Sequence, residues 1–139
     1  AVIPTIVTQA LTQPAVHLGN LAPTRDFNYV ADTVEGFIQV AGCPEAIGQV
    51  FNIGSGEEIS IGGLAKIILQ LVGADKKVIS DSERARPEKS EVDRLCAESS
   101  KAQKILGWKP RHTLEEGLLE TIAWIRDNID RYRAGVYVT

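Results

Sequence analysis

The groups in this sequence best placed to do chemistry are arginines outside regular elements. Arg25 follows a proline-containing stretch, Leu21 to Thr24, and Arg86 sits beside Arg84 in a long charged segment, Asp81 to Asp93. A guanidinium presents a planar fork of N–H donors, so arginines in loops near glycines suit fork-like capture of phosphate oxygens. Taken singly, each reads more readily as a solvated surface charge. Two of them converging on one point would make an anion site, and spacing along the chain does not show convergence.

Other chemistries find less support. His17 and His112 are far apart, and neither stands at a metal-ligand spacing from Cys43 or Cys96, so no metal site is expected. The two cysteines read as reduced thiols of a cytoplasmic protein. Gly54-Ser55-Gly56 lacks the third glycine and the helix start of a dinucleotide-binding loop, and Gly62-Gly63 falls inside a helical pattern, where close packing explains it. Among 139 residues, 44% are hydrophobic and 24% charged, as in an ordinary globular protein. The net charge of -3 and the absence of a basic stripe argue against nucleic acid as a partner. The apolar runs are too short to cross a bilayer, so no membrane is expected either. The sequence contains no Met and opens on Ala1-Val2-Ile3-Pro4, which reads as a piece of a longer protein.

The elements that must position the arginines follow from periodicity. Ile3, Ile6, Val7 and Ala10 predict a first helix, and Ala15 to Gly19 a short strand. Arg25 to Val30 alternates as an extended run. Asp32 and Glu35 form a D-x-x-E pair that predicts a capped helix start, with Val34, Phe37, Ile38 and Ala41 as its buried stripe. Gln49 to Ile53 predicts a brief strand, Ser60 the cap of a third helix bearing Leu64, Ile67, Ile68 and Leu71, and Lys77 to Ser80 another strand. A short helix spans Ser100 to Leu106. The last helix starts at a capping box, Thr113 with Glu116, and carries an apolar stripe of Leu114, Leu118, Ile122, Ile125 and Ile129. Alternating helices and strands predict an α/β fold.

Four blocks then carry a resemblance: Arg25-Asp26-Phe27-Asn28-Tyr29-Val30-Ala31-Asp32, Phe51-Asn52-Ile53-Gly54-Ser55-Gly56, Ser100-Lys101-Ala102 and Leu106-Gly107-Trp108-Lys109-Pro110. In this order they resemble the C-terminal, substrate-binding portion of the extended short-chain dehydrogenase/reductases, the NAD-dependent nucleotide-sugar epimerases and dehydratases. The run from Arg86-Pro87 to Glu91-Val92-Asp93-Arg94-Leu95 looks more like the 4,6-dehydratases of the GDP-mannose and legionaminic-acid pathways than the 4-epimerases.

The resemblance implies a two-part enzyme. Its N-terminal Rossmann core holds NAD and the catalytic Tyr-x-x-x-Lys pair, and its C-terminal portion grips the nucleotide diphosphate of an NDP-sugar. The implied reaction oxidises C4, removes water across C5–C6 and returns hydride to C6. Tyr29, Tyr132 and Tyr137 have no Lys four residues later, so no catalytic or NAD-binding residue is expected here and the chain alone is expected to be inactive. By the same resemblance Arg25 and Arg86 contact the diphosphate, Glu91 contacts the ribose, and the backbone around Val16 and Leu18 contacts the base. The chain is expected to be one partial domain, residues 1–139, whose segment 32–56 packs against the missing Rossmann core. Uncovered, the apolar face of Val34, Phe37 and Ile38 predicts association of copies. The alternatives are a 4-epimerase and, from another class, a non-catalytic nucleotide-sugar-binding module.

Overall fold

A computed structural model describes residues 1–81 and 92–132. The chain is α/β and forms two compact units, each drawn from separated stretches of sequence. One comprises the described residues of Ala1–Pro23, Ser60–Asp93 and Leu118–Thr139, the other Thr24–Ile59 and Arg94–Gly117.

In the first unit, helix α1 (Val2–Thr12) buries Ile6, Val7 and Ala10. It packs on helix α3 (Ile61–Val72), whose Leu64, Ala65 and Ile68 are fully buried. Ser60 caps α3 as its sequence predicts, its hydroxyl accepting from Gly63 N at 3.0 Å, and Gly73 ends it at φ 74°. Strand β1 (Val16–Leu18) pairs in parallel with β4 (Val78–Ser80), Val16 opposite Val78 and Leu18 opposite Ser80. Val16 N donates to the Lys77 carbonyl at 2.9 Å, and Asp81 N to the Leu18 carbonyl at 2.7 Å. The other edge of β1 is met by a side chain. Buried Gln9 accepts from His17 N at 2.9 Å and donates to the His17 carbonyl at 3.1 Å, so its amide bonds the strand as a neighbouring peptide would.

In the second unit, β2 (Thr24–Arg25) lies between β3 (Ile59–Ser60) and β5 (Arg94–Leu95), parallel to β5 with Thr24 opposite Arg94 and Arg25 opposite Leu95. Helix α2 spans Val30–Gly42 and is followed by a 3-10 turn at Pro44–Ala46. Helix α4 (Ser100–Leu106) ends at Gly107 in the left-handed conformation, φ 68°. Helix α5 (Leu114–Asp127) opens with the expected capping box, Thr113 N donating to Glu116 Oε2 at 2.8 Å and Glu116 N to Thr113 Oγ1 at 3.3 Å. From Leu118 onward α5 belongs to the first unit, where Leu118, Ile122 and Ile125 are buried. Ile129, expected in this helix, stands in a following 3-10 turn, Ile129–Arg131.

Three expectations need correction. Asp32 does not cap α2. The N-cap is Tyr29, and Asp32 is the third helical residue, 2% exposed. The stripe of Val34, Phe37, Ile38 and Ala41 is exposed rather than buried, Phe37 by 72%, while the buried positions of α2 are Asp32 and Gly36. Residues 49–53 form no strand. An extended segment becomes a strand only with a ladder partner, and here the Val50 carbonyl accepts instead from Lys101 Nζ at 2.9 Å.

Candidate functional site

Arg25 is the second residue of β2, half-buried, with Nη1 donating to the Thr24 carbonyl at 2.7 Å. The residue after it anchors the neighbourhood. Asp26 N continues the ladder to the Leu95 carbonyl at 2.9 Å. The Asp26 carboxylate accepts four hydrogen bonds: Ser55 N at 3.0 Å and Ser55 Oγ at 2.6 Å on Oδ1, and Gly56 N at 2.9 Å and Ala97 N at 3.1 Å on Oδ2. Partial burial pushes this carboxyl up. The donors from Ser55 Oγ, Gly56 N, Ala97 N and Ser55 N outweigh burial together and hold it below the ordinary aspartate range.

The loop around Asp26 is shaped to it. A Cβ at Gly54 would overlap the Ala97 methyl and stand 2.9 Å from Asp26 Oδ2, and Gly56 adopts φ 78°. Beside this clasp, Glu58 accepts from Arg94 Nε at 3.0 Å and from Thr24 Oγ1 at 3.1 Å. The Arg94 guanidinium holds the Glu58 carboxyl below its usual range, and Glu58 raises Arg94 in return.

A second polar cluster in the same unit gathers around Asp32. Its carboxylate accepts from His112 N at 3.2 Å and meets His112 Nδ1 at 2.8 Å, while its carbonyl accepts from Trp108 Nε1 at 2.9 Å. Trp108 is 1% exposed. Tyr29 lies against the His112 ring, centroids 4.8 Å apart, and a Cβ at Gly117 would be 3.1 Å from Tyr29 Cβ. Asn52 donates from Nδ2 to the Glu98 carbonyl at 3.2 Å. Glu98 accepts from Ser100 N at 2.9 Å, ahead of the α4 N-cap, Ser99.

Of the residues expected at the site, Arg25 stands on β2 in one unit, and Val16 and Leu18 are buried in β1 in the other. The backbone at Val16 N and Leu18 O is bonded to the chain flanking and following β4. Arg86 and Glu91 lie outside the described residues. Asp26 and Asp32 belong to the Arg25 to Asp32 block, yet local sequence carries no signal for the role of Asp26, because its partners stand 29 to 71 positions away. Among the described residues no group of three or more His, Cys, Asp or Glu side chains is placed to hold a metal ion, and no helix is long and apolar enough to cross a membrane.

Comparison with known proteins agrees with this architecture. The chain is 37% identical over 114 residues to the dTDP-D-glucose 4,6-dehydratase of Mus musculus, covering 78% of this chain and 31% of that protein. It is 34% identical over 109 residues to the UDP-glucose 4-epimerase of Mycolicibacterium smegmatis, covering 78% of this chain and 33% of that protein. The crystal structure of the Bordetella bronchiseptica enzyme WbmF in complex with NAD+ and UDP superposes with a TM-score of 0.78 at 32% identity, over 94% of this chain and 37% of WbmF. The chain thus spans about a third of the length of the curated relatives it matches. Because the sequence model of the GDP-mannose 4,6 dehydratase family matches residues 1–121, the chain belongs to that family, among the extended short-chain dehydrogenase/reductases that act as nucleotide-sugar dehydratases and epimerases.

Proposed function

We propose that this chain provides the diphosphate grip of an NAD-dependent nucleotide-sugar 4,6-dehydratase. The observation that carries the reading is Arg25 at the end of β2, next to a residue fixed by four hydrogen bonds. A phosphate ligand rooted in rigid backbone loses little freedom on binding, which is what a preorganised anion site requires. In this reading Arg86 shares the diphosphate with Arg25, Glu91 meets the ribose, and the β1 segment bearing Val16 and Leu18 lies by the base. The family match and the Arg86-Pro87 to Glu91-Val92-Asp93 run favour the dehydratase over the epimerase.

The described residues do not fit NAD. Its phosphates need free backbone N–H groups in a glycine-rich turn. In the one Gly-x-Gly turn described, Ser55 N and Gly56 N already bond the Asp26 carboxylate, whose charge would also repel a phosphate. NAD then belongs to the part of the enzyme that this chain does not span, and with it the hydride chemistry. Residues 32–56 pack against that part, which covers the apolar face of α2. The contribution of this chain is to bind and orient.

The complete gene product that contains this chain, incubated with GDP-, UDP- and dTDP-sugars, is expected to release a 4-keto-6-deoxy sugar nucleotide from one of them. An Arg25→Ala variant should raise KM for that substrate by about 10- to 100-fold, the range for losing hydrogen bonds to a charged group. The 4-epimerase is the second reading, favoured by the likeness to the Mycolicibacterium smegmatis enzyme. An epimerised sugar as the sole product would select it, and unchanged KM in Arg25→Ala would remove the diphosphate grip from both readings.

A further inference from the structure

We infer that Asp26 is the positioning residue for Arg25, its clasp on the 54–56 turn and on Ala97 setting the direction in which the guanidinium leaves the sheet. The inference rests on the reading of Arg25 as a diphosphate ligand.

Side chains of consecutive residues in extended chain leave opposite faces. Thr24 Oγ1 and Arg94 Nε, on paired strands, both reach Glu58, which marks one face of the β2–β5 pair. Asp26, two residues beyond Thr24, follows that face, and Arg25 leaves by the other. The ladder itself is short at this point: β2 has two residues, continued on its β5 edge by the bond from Asp26 N to the Leu95 carbonyl. So short a strand resists rotation poorly, and a rotation at Asp26 would swing Arg25 with it.

The carboxylate removes that freedom. Its four donors come from two separate stretches of chain, the turn at Ser55 and Gly56 and the backbone at Ala97. Each bond has a charged acceptor and is accordingly strong. The fit is close enough that Gly54 has no room for a side chain. The same bonds engage both oxygens of Asp26, and Glu58 is engaged by Arg94 and Thr24.

The test uses the complete gene product and calorimetric titration with UDP, GDP and dTDP and with the matching monophosphates. Arg25→Ala should weaken the best-bound diphosphate about 10- to 100-fold and its monophosphate less, and Asp26→Asn should weaken the diphosphate about 3- to 10-fold. The double variant should bind no more weakly than Arg25→Ala alone, because a positioning residue has nothing left to position. Should Asp26→Asn fail to fold, Ser55→Ala, which deletes the 2.6 Å hydroxyl bond to Asp26 together with the hydroxyl's bonds to the Glu57 backbone, should still weaken the diphosphate.

The inference is overturned if the loss in Asp26→Asn persists in full on top of Arg25→Ala, which would mark a purely structural role. It is also overturned if the folded Asp26→Asn variant, or Ser55→Ala in its place, binds like wild type. Arg25→Ala binding like wild type would sink the underlying diphosphate reading instead, and is told apart by that variant alone.

Discussion

At the scale of single residues, Asp26 couples the second unit to pH. The folded state holds its carboxyl below the ordinary aspartate value, about 3.9 in an unfolded chain, so the folded state binds fewer protons through the acid range. The stabilisation is fully present above that unfolded value and is lost as pH falls through the folded one. Urea unfolding of the wild type is therefore expected to show a midpoint that drops below about pH 4, with a shallower drop in Asp26→Asn. Equal acid slopes in the two proteins would mean that other carboxylates set the dependence. Glu58, Glu98 and Glu116 are also held low, each by hydrogen bonds to its charged form, but at exposed positions where solvent weakens the effect.

At the scale of elements, β1 shows how a three-residue strand can persist. One edge is bonded along β4 and the other by the Gln9 amide, so the strand behaves as if it had two neighbours. Gln9→Leu keeps nearly the same volume and removes the amide's bonds to the His17 N–H and carbonyl. It should destabilise the protein by about 1–3 kcal/mol in denaturant unfolding, and a change within a few tenths would show that water replaces the amide. Local signals were legible in the sequence for the same physical reason that makes them local. The caps of α3 and α5 lie within three residues of their partners, and both stand as predicted. Asp32 misled because its true partners, Trp108 and His112, are 76 and 80 positions away. A D-x-x-E spacing reports nothing at that distance.

At the scale of the whole molecule, the α/β class was readable from alternation, and the candidate site only in part. Arg25 was legible through its resemblance, whereas the clasp that holds its neighbour exists only once three distant stretches meet. The α2 helix adds a different lesson. Its periodicity identified an apolar stripe correctly, but periodicity does not say what covers it, and Val30, Val34, Phe37 and Ile38 stand at least half exposed. Ile47 and Val50 beyond the helix are more than 80% exposed. So large an apolar display is unusual on a free surface. The 139-residue chain in isolation is expected to bind an apolar dye and to self-associate in light scattering, and Phe37→Asp with Ile38→Lys should reduce both. A clean monomer with no dye binding would argue against exposure of this face in solution.

The interleaving of the two units carries a consequence for anyone who cuts the gene. The backbone passes from one unit to the other after Pro23, Ile59, Asp93 and Gly117. No contiguous stretch of codons encodes either unit alone. A cut after Ile59 or Asp93 would leave both incomplete, and the shortest stretch that encodes all of the second unit, residues 24–117, also carries residues 60–93 of the first.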